Sequence, residues 1–328
     1  SIRQECSKLA LLAAVCDINE GSLTKAELKY KAAAYKDYKE MILKEKPDVV
    51  HICTPHYLHK EMAVFAAQNG VHVFSEKPMG LNLAHAREIA EAVKQYGIKY
   101  GVSFQNRFNP STKMAGEIIS GGGLGVLKSA KLVLTWHKPD EYYLRSDWKG
   151  TWEREGGGVV IDQAIHSLDI LKYLFDSPIE WINATTVNRM HEKVEVDDEA
   201  SGVIMFRSGA YINFYATNHY SYDDDIEIEI HGEKGIISIV KDSAEARFFK
   251  GGKTRRASPS RRDYIDYGGG VKDYWGVCHS IAIKKFYEAV INNTPYEIDE
   301  NQGLETQRMV EAIYESGRKG VKVGLLPF

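Results

Sequence analysis

Short apolar runs alternating with helix-compatible stretches dominate the first hundred residues, and few folds accept that rhythm. Residues 11–17, 48–53, 71–74 and 98–102 read as buried strands. Between them, helices are expected over roughly 22–35, 59–69 and 83–95. Strands that are apolar on both faces and separated by helices imply a parallel sheet covered on both sides. This is the doubly wound pattern, whose ligands sit beyond the carboxyl ends of the strands.

After about Phe104 the rhythm changes. Runs at 127–136, 179–188, 200–207, 210–217, 225–231 and 235–240 alternate apolar with polar residues and are separated by glycine or charged turns, which argues an antiparallel sheet. A helix following Gly158 interrupts the series, and helical segments return near 277–292 and 302–318. The expected fold class is α/β. A doubly wound parallel domain is expected over residues 1–104, and an α+β domain with a large, open, mostly antiparallel sheet over 105–328. The last helix is expected to pack back on the first domain.

The 328 residues suffice for two domains that each bury a core. A net charge of -3 gives no electrostatic case for nucleic acid or an acidic membrane. Arg3 and Lys8 before an apolar run ending at Cys16 imitate a lipidated signal sequence, but Val15 before the cysteine is not small and the run is short. No run approaches the ~18 apolar residues of a membrane helix. Cys6, Cys16, Cys53 and Cys278 lack metal-type spacing, and the pattern suits a reducing, cytoplasmic compartment. Arg255, Arg256, Arg261 and Arg262, set among Ser, Pro and Asp, read as a solvated loop.

Chemistry gathers in three places. Gly156-Gly157-Gly158 can turn sharply and admit a ligand closely. On the helix behind them, Asp162, His166 and Asp169 are spaced to share one face. That stripe is either the wet side of an amphipathic helix or an acid/base pair in which a carboxylate orients an imidazole. At the ligand edge of the parallel sheet lie Thr54-Pro55-His56-Tyr57-Leu58-His59 and Ser75-Glu76-Lys77-Pro78. Proline biases Lys77 to an extended backbone from which its ammonium can reach over a crevice; the bland alternative is a surface loop lysine. His56 and His59 lack the acidic or thiol partners of a metal site, and no metal is expected. Asp17 ends the strand where a dinucleotide fold places a ribose-binding acid, which favours NAD over NADP. No glycine-rich turn precedes Asp17, so the first strand and its phosphate loop are expected upstream of Ser1.

The Glu-Lys-Pro at 76–78, the Thr-Pro at 54–55, the Gly-Gly-Gly-x-x-x-Asp-x-x-x-His at 156–166 and the closing stretch at 314–323 together resemble the glucose-fructose oxidoreductase / inositol dehydrogenase / MocA family. The resemblance implies an N-terminal Rossmann domain and a C-terminal sheet that makes a dimer or tetramer contact. It matches Lys77, Asp162 and His166 to the family's catalytic residues, and Asp17 to its ribose-binding acid. Thr54, Pro55, His59, Glu76 and Lys77 are expected at the cofactor. Asn106, Arg107, Trp148 and Trp152, with Asp162 and His166, are expected at the substrate, and Lys149 beside Trp148 is read as a further lining residue.

The implied activity is hydride transfer between NAD and a secondary hydroxyl of a sugar or cyclitol, with His166 as base, Asp162 orienting it and Lys77 holding the substrate oxygen. Two alternatives stay within the family, a redox-neutral NAD-dependent glycosidase and a glycoside 3-oxidoreductase. A third leaves catalysis altogether, a cofactor-sensing regulator, which would be expected to lack the lysine or the histidine.

Overall fold

The computed structural model describes residues 9–260 and 278–326. The chain divides into two compact units, Ser1–Ser103 with His279–Leu304, and Phe104–Cys278 with Glu305–Phe328. In chain order the first unit carries β1 (Ala14–Cys16), α1 (Glu20–Tyr30), β2 (Ala33–Tyr35), α2 (Tyr38–Glu45), β3 (Val49–Ile52), α3 (His59–Gln68), β4 (His72–Ser75), α4 (Leu83–Tyr96) and β5 (Tyr100–Val102). The second begins with α5 (Pro110–Ser120), β6 (Leu127–Thr135), α6 (Asp140–Leu144), a π-helical turn (Val159–Ala164) and α7 (Ile165–Phe175). It continues through β7 (Ile179–Val187), β8 (Glu199–Phe206), β9 (Tyr211–Thr217), β10 (Glu227–Gly232), β11 (Gly235–Val240), β12 (Ser243–Phe248) and β13 (Thr254–Ala257). Then come α8 (His279–Ile291), α9 (Glu300–Lys319) and β14 (Val323–Gly324).

In the first unit every strand pairing is parallel: β1 with β2, and β3 with β4 and β4 with β5. Among the described residues the two sets form separate sheets. Asn19, Asp37 and Asn82 cap α1, α2 and α4 by accepting from the first free backbone amides. The helix expected over 22–35 ends at Tyr30, where Lys31 takes a left-handed conformation, and Ala33–Tyr35 forms β2 instead. Gly101 of β5 lets Phe74, Phe286 and Tyr296 close over the sheet; a Cβ there would lie within 3.0 Å of all three rings.

The second unit is built on a nine-stranded sheet in the order β13-β12-β11-β10-β6-β9-β8-β7-β14. All its pairings are antiparallel except β6 with β9, which run in parallel from Ser129↔Tyr211 to Thr135↔Thr217. Burial alternates along β10 and β11, as expected of a sheet with one face against the core. Arg255 and Arg256 are not in a loop. They sit on β13 and pair with Glu117 of α5 and Glu245 of β12. Their strand was hidden because exposed edge positions carry charge instead of apolar alternation. Arg261 and Arg262, like the phosphate loop expected upstream of Ser1, lie outside the described residues.

Candidate active site

The glycine run serves the protein's own packing. A Cβ on Gly157, whose φ is +150°, would lie 2.0 Å from the Tyr314 hydroxyl, and one on Gly158 would lie 1.9 Å from the Asp197 carbonyl oxygen. What approaches these glycines is therefore α9 and the segment before β8, rather than a ligand. The buried Asp197 carboxylate accepts from the backbone amides of Gly158 (2.7 Å) and Val160 (3.1 Å), and Tyr314 accepts from the amide of Ile161 (3.2 Å). Burial pushes the Asp197 carboxyl up to about 7, against the pull of those amides and of the Tyr314 hydroxyl. These bonds satisfy amides that the start of a helix leaves without partners.

Held this way, residues 159–164 wind as a π-helical turn before α7 continues as an α-helix. The expectation of one continuous α-helix is thus corrected over its first turn. From Gly157 to Leu171 every residue is buried except Asp162 and His166, which keep partial access to solvent. Asp169 does not continue the stripe: it is buried and binds both Nε (2.7 Å) and Nη2 (2.6 Å) of Arg107 as well as the Thr306 hydroxyl (2.8 Å). Tyr173 stacks 5.0 Å from the same guanidinium. Arg107, expected at the substrate, thus has its guanidinium engaged by α7.

Asp162 anchors a polar cluster. Its Oδ2 accepts from the Tyr142 hydroxyl (2.7 Å), the Lys149 ammonium (2.8 Å) and the Gln163 amide (2.8 Å). Lys149 also binds the buried Glu155 (3.1 Å), whose other oxygen accepts from the Gly150 amide (2.5 Å). Burial alone would lower the Lys149 ammonium, but the carboxylates of Asp162 and Glu155 lift it well above its ordinary range. Burial and the charge of Asp162 push Glu155 up to about 7, opposed by Lys149. Burial, then the charge of Asp162, also raises the Tyr142 phenol, so it stays a neutral donor. The His166 ring packs edge-on to Phe104, 6.2 Å between centroids.

The other expected substrate residues are dispersed. Trp148 lies under the Lys149 ammonium, 4.6 Å from its ring centroid. Trp152 donates its indole N–H to the Glu195 carbonyl (3.0 Å) and meets Tyr314 edge-on. Asn106 is buried, and neither polar atom of its side chain has a hydrogen-bond partner among the described residues. Glu155 and Asp197 were not foreseen as parts of this site. The run Asp197-Asp198-Glu199 at the start of a strand was the available signal, since consecutive acids entering a sheet need buried donors.

In the first unit, Asp17 is exposed just after β1, one of its oxygens accepting from the Asn19 amide (2.8 Å). Thr54-Pro55 follows β3 and Glu76-Lys77 follows β4, across a cis Lys77–Pro78 peptide. His59 is fully buried between these loops, with one ring nitrogen 2.8 Å from the Pro78 carbonyl and the other 2.9 Å from that of Thr54. It was expected at the cofactor, and its ring instead ties the two loops together. An exposed acid and two loops at successive carboxyl ends have the donor and acceptor chemistry that the ribose and nicotinamide parts of a dinucleotide require. Among the described residues no group of three or more His, Cys, Asp or Glu is placed to hold a metal, and no helix is long and apolar enough to cross a membrane.

Both parts of the chain match domains of known proteins. Residues 2–104 match the model of an oxidoreductase family's NAD-binding Rossmann fold, and residues 117–325 match that of the same family's C-terminal alpha/beta domain. The chain is 31% identical to myo-inositol 2-dehydrogenase of Thermotoga maritima over 234 residues, 70% of this chain and 67% of that one. It is 25% identical to D-glucoside 3-dehydrogenase of Escherichia coli over 334 residues, covering 96% and 90%. The crystal structure of the WlbA dehydrogenase from Chromobacterium violaceum, in complex with NADH and UDP-GlcNAcA, superposes with a TM-score of 0.86 at 26% identity, covering 99% of this chain and 91% of that one.

Proposed function

The chain belongs to the glucose-fructose oxidoreductase / inositol dehydrogenase / MocA family of oxidoreductases, and we propose that it transfers a hydride between NAD(H) and a secondary hydroxyl of a cyclitol or sugar ring. The observation that carries this reading is that, from Gly157 to Leu171, only Asp162 and His166 keep access to solvent on an otherwise buried, braced stretch. Relatives that act on inositol and on glucosides support the substrate class.

When bound, the dinucleotide supplies the hydride acceptor. Asp17 would hold its ribose hydroxyls, and the loops bearing Thr54, Pro55, Glu76 and Lys77 would line it. His166 takes the proton from the substrate hydroxyl as the hydride leaves carbon, and Asp162 stabilises the charge this places on the imidazole. Lys77 holds the reacting oxygen and steadies its developing negative charge. Retention of Lys77, Asp162 and His166 favours the enzyme over the regulator. We assign the protein to the cytoplasm on Cys16, Cys53 and Cys278, which form no disulfide among the described residues, and self-association as a dimer or tetramer to the nine-stranded sheet. Size-exclusion chromatography with light scattering tests the latter, and a monomer overturns it.

The functional test is a panel of inositols, hexoses and glycosides with NAD, read as NADH absorbance. NADH accumulating with at least one polyol is expected. Release of an aglycone without NADH would instead establish the redox-neutral glycosidase, and no turnover with any member overturns the proposal.

A further inference from the structure

We propose that Lys149 is a positioning residue of this reaction, its ammonium braced by Glu155 so as to hold the Asp162 carboxylate in place and in its charged form. The inference rests on reading Asp162 and His166 as the proton-transfer pair.

The geometry runs in one line. Glu155 is fully buried and fixed by the Gly150 amide at one oxygen and by Lys149 at the other. Lys149 reaches past it to Oδ2 of Asp162, the same atom that Tyr142 and Gln163 address. The stem of Lys149 is confined as well, with the ammonium 4.6 Å from the Trp148 ring centroid and 4.7 Å from that of Tyr142. Three donors converging on one carboxylate oxygen leave Asp162 little rotational freedom.

A buried ion pair contributes little net stability over an apolar replacement of the same shape. What this one determines is the charge beside Asp162. Without the ammonium, two neighbouring carboxyls would be left in a mostly buried site, and each would resist ionisation. Tyr143 of α6 and Tyr314 of α9 also sense the charge of Glu155. Burial raises both phenols above their ordinary range, so they remain neutral. Burial and the charge of Asp162 raise the Glu155 carboxyl to about 7, opposed by Lys149, so the charge on Glu155 is coupled to both neighbours.

The test uses the full chain labelled with carbon-13 at its Asp and Glu carboxyls, followed by NMR titration without cofactor, with NADH kinetics alongside. Lys149→Met is expected to raise the Asp162 midpoint by more than about one pH unit. It should also lower kcat at least about 30-fold, with KM within about threefold, and move the acidic limb of the pH profile upward. Lys149→Arg, which keeps the cation, should restore most of the rate. Glu155→Gln preserves the acceptor for the Gly150 amide, and should abolish the titration near neutrality and lower the Asp162 midpoint. An Asp162 midpoint unmoved in folded Lys149→Met, or in Glu155→Gln should Lys149→Met fail to fold, overturns the inference whatever the activity. Shifted midpoints with no NADH from any polyol would leave the charge coupling standing and remove the functional reading instead.

Discussion

The Tyr314 hydroxyl lies 3.2 Å from the backbone nitrogen of Ile161, 153 residues earlier in the chain, and this bond pins the turn that presents Asp162. Tyr314 also fills the space that a side chain at position 157 would need. Gly157→Ala is therefore expected to destabilise the second unit by at least about 3 kcal/mol through steric overlap and a strained backbone. Urea denaturation checks this. Tyr314→Phe in the same chain should recover part of the loss, because it removes the atom that the new methyl strikes first.

Arg107 and Asp169 form the other brace of α7. Arg107→Met leaves a buried carboxylate without its cation and should cost about 3–5 kcal/mol. The measurement is the unfolding midpoint, with KM read on the folded fraction. Since the guanidinium is engaged by Asp169, KM is expected to change less than about threefold; a tenfold rise would return Arg107 to the substrate.

Asp17 decides the cofactor. An acid at this strand end accepts from ribose hydroxyls and repels a 2′-phosphate. Asp17→Ser should therefore raise the ratio of kcat/KM for NADP to that for NAD by at least about tenfold. A parent enzyme that already uses both equally would remove that role from Asp17.

Acid stability of the first unit reports on His51. Burial lowers its imidazole from the usual value to about 4, beside the Tyr287 hydroxyl at 2.8 Å. A base with a depressed folded pKa contributes stability that is present above its unfolded value and lost as the pH falls toward the folded one. Between about pH 6.5 and 4 the wild type should thus lose about 1.4 kcal/mol per pH unit relative to His51→Gln. Parallel stability curves for the two proteins would contradict this.

Much of the frame was legible because it is written locally. Strands β3 to β5 show as compact apolar runs, and β6 to β11 as alternating ones, so both sheet types could be assigned within a residue or two. Helix α2 and strands β12 and β13 were not, since short elements with charged or mixed faces carry no clear period. The acid–imidazole spacing was visible too. Its support was not: Lys149 and Glu155 sit in irregular chain before the turn, and Tyr314 and Asp197 are brought to it only by the fold. The glycines were noticed for a ligand, whereas what they accommodate is a phenol from the last helix.

The parallel pairing of β6 with β9 has a consequence for how such an enzyme can diversify. Between β6 and β7 one excursion, carrying α6, the tryptophans, the turn and α7, leaves the sheet and re-enters it three strands away, after which β7 and β8 lead back to β9 beside β6. Length and sequence on that excursion can drift toward a new polyol while the register of the two flanking strands stays fixed. Chemistry and frame are thus separable in this half of the molecule, and insertions between Thr135 and Val159 should be the cheapest route to altered substrate range.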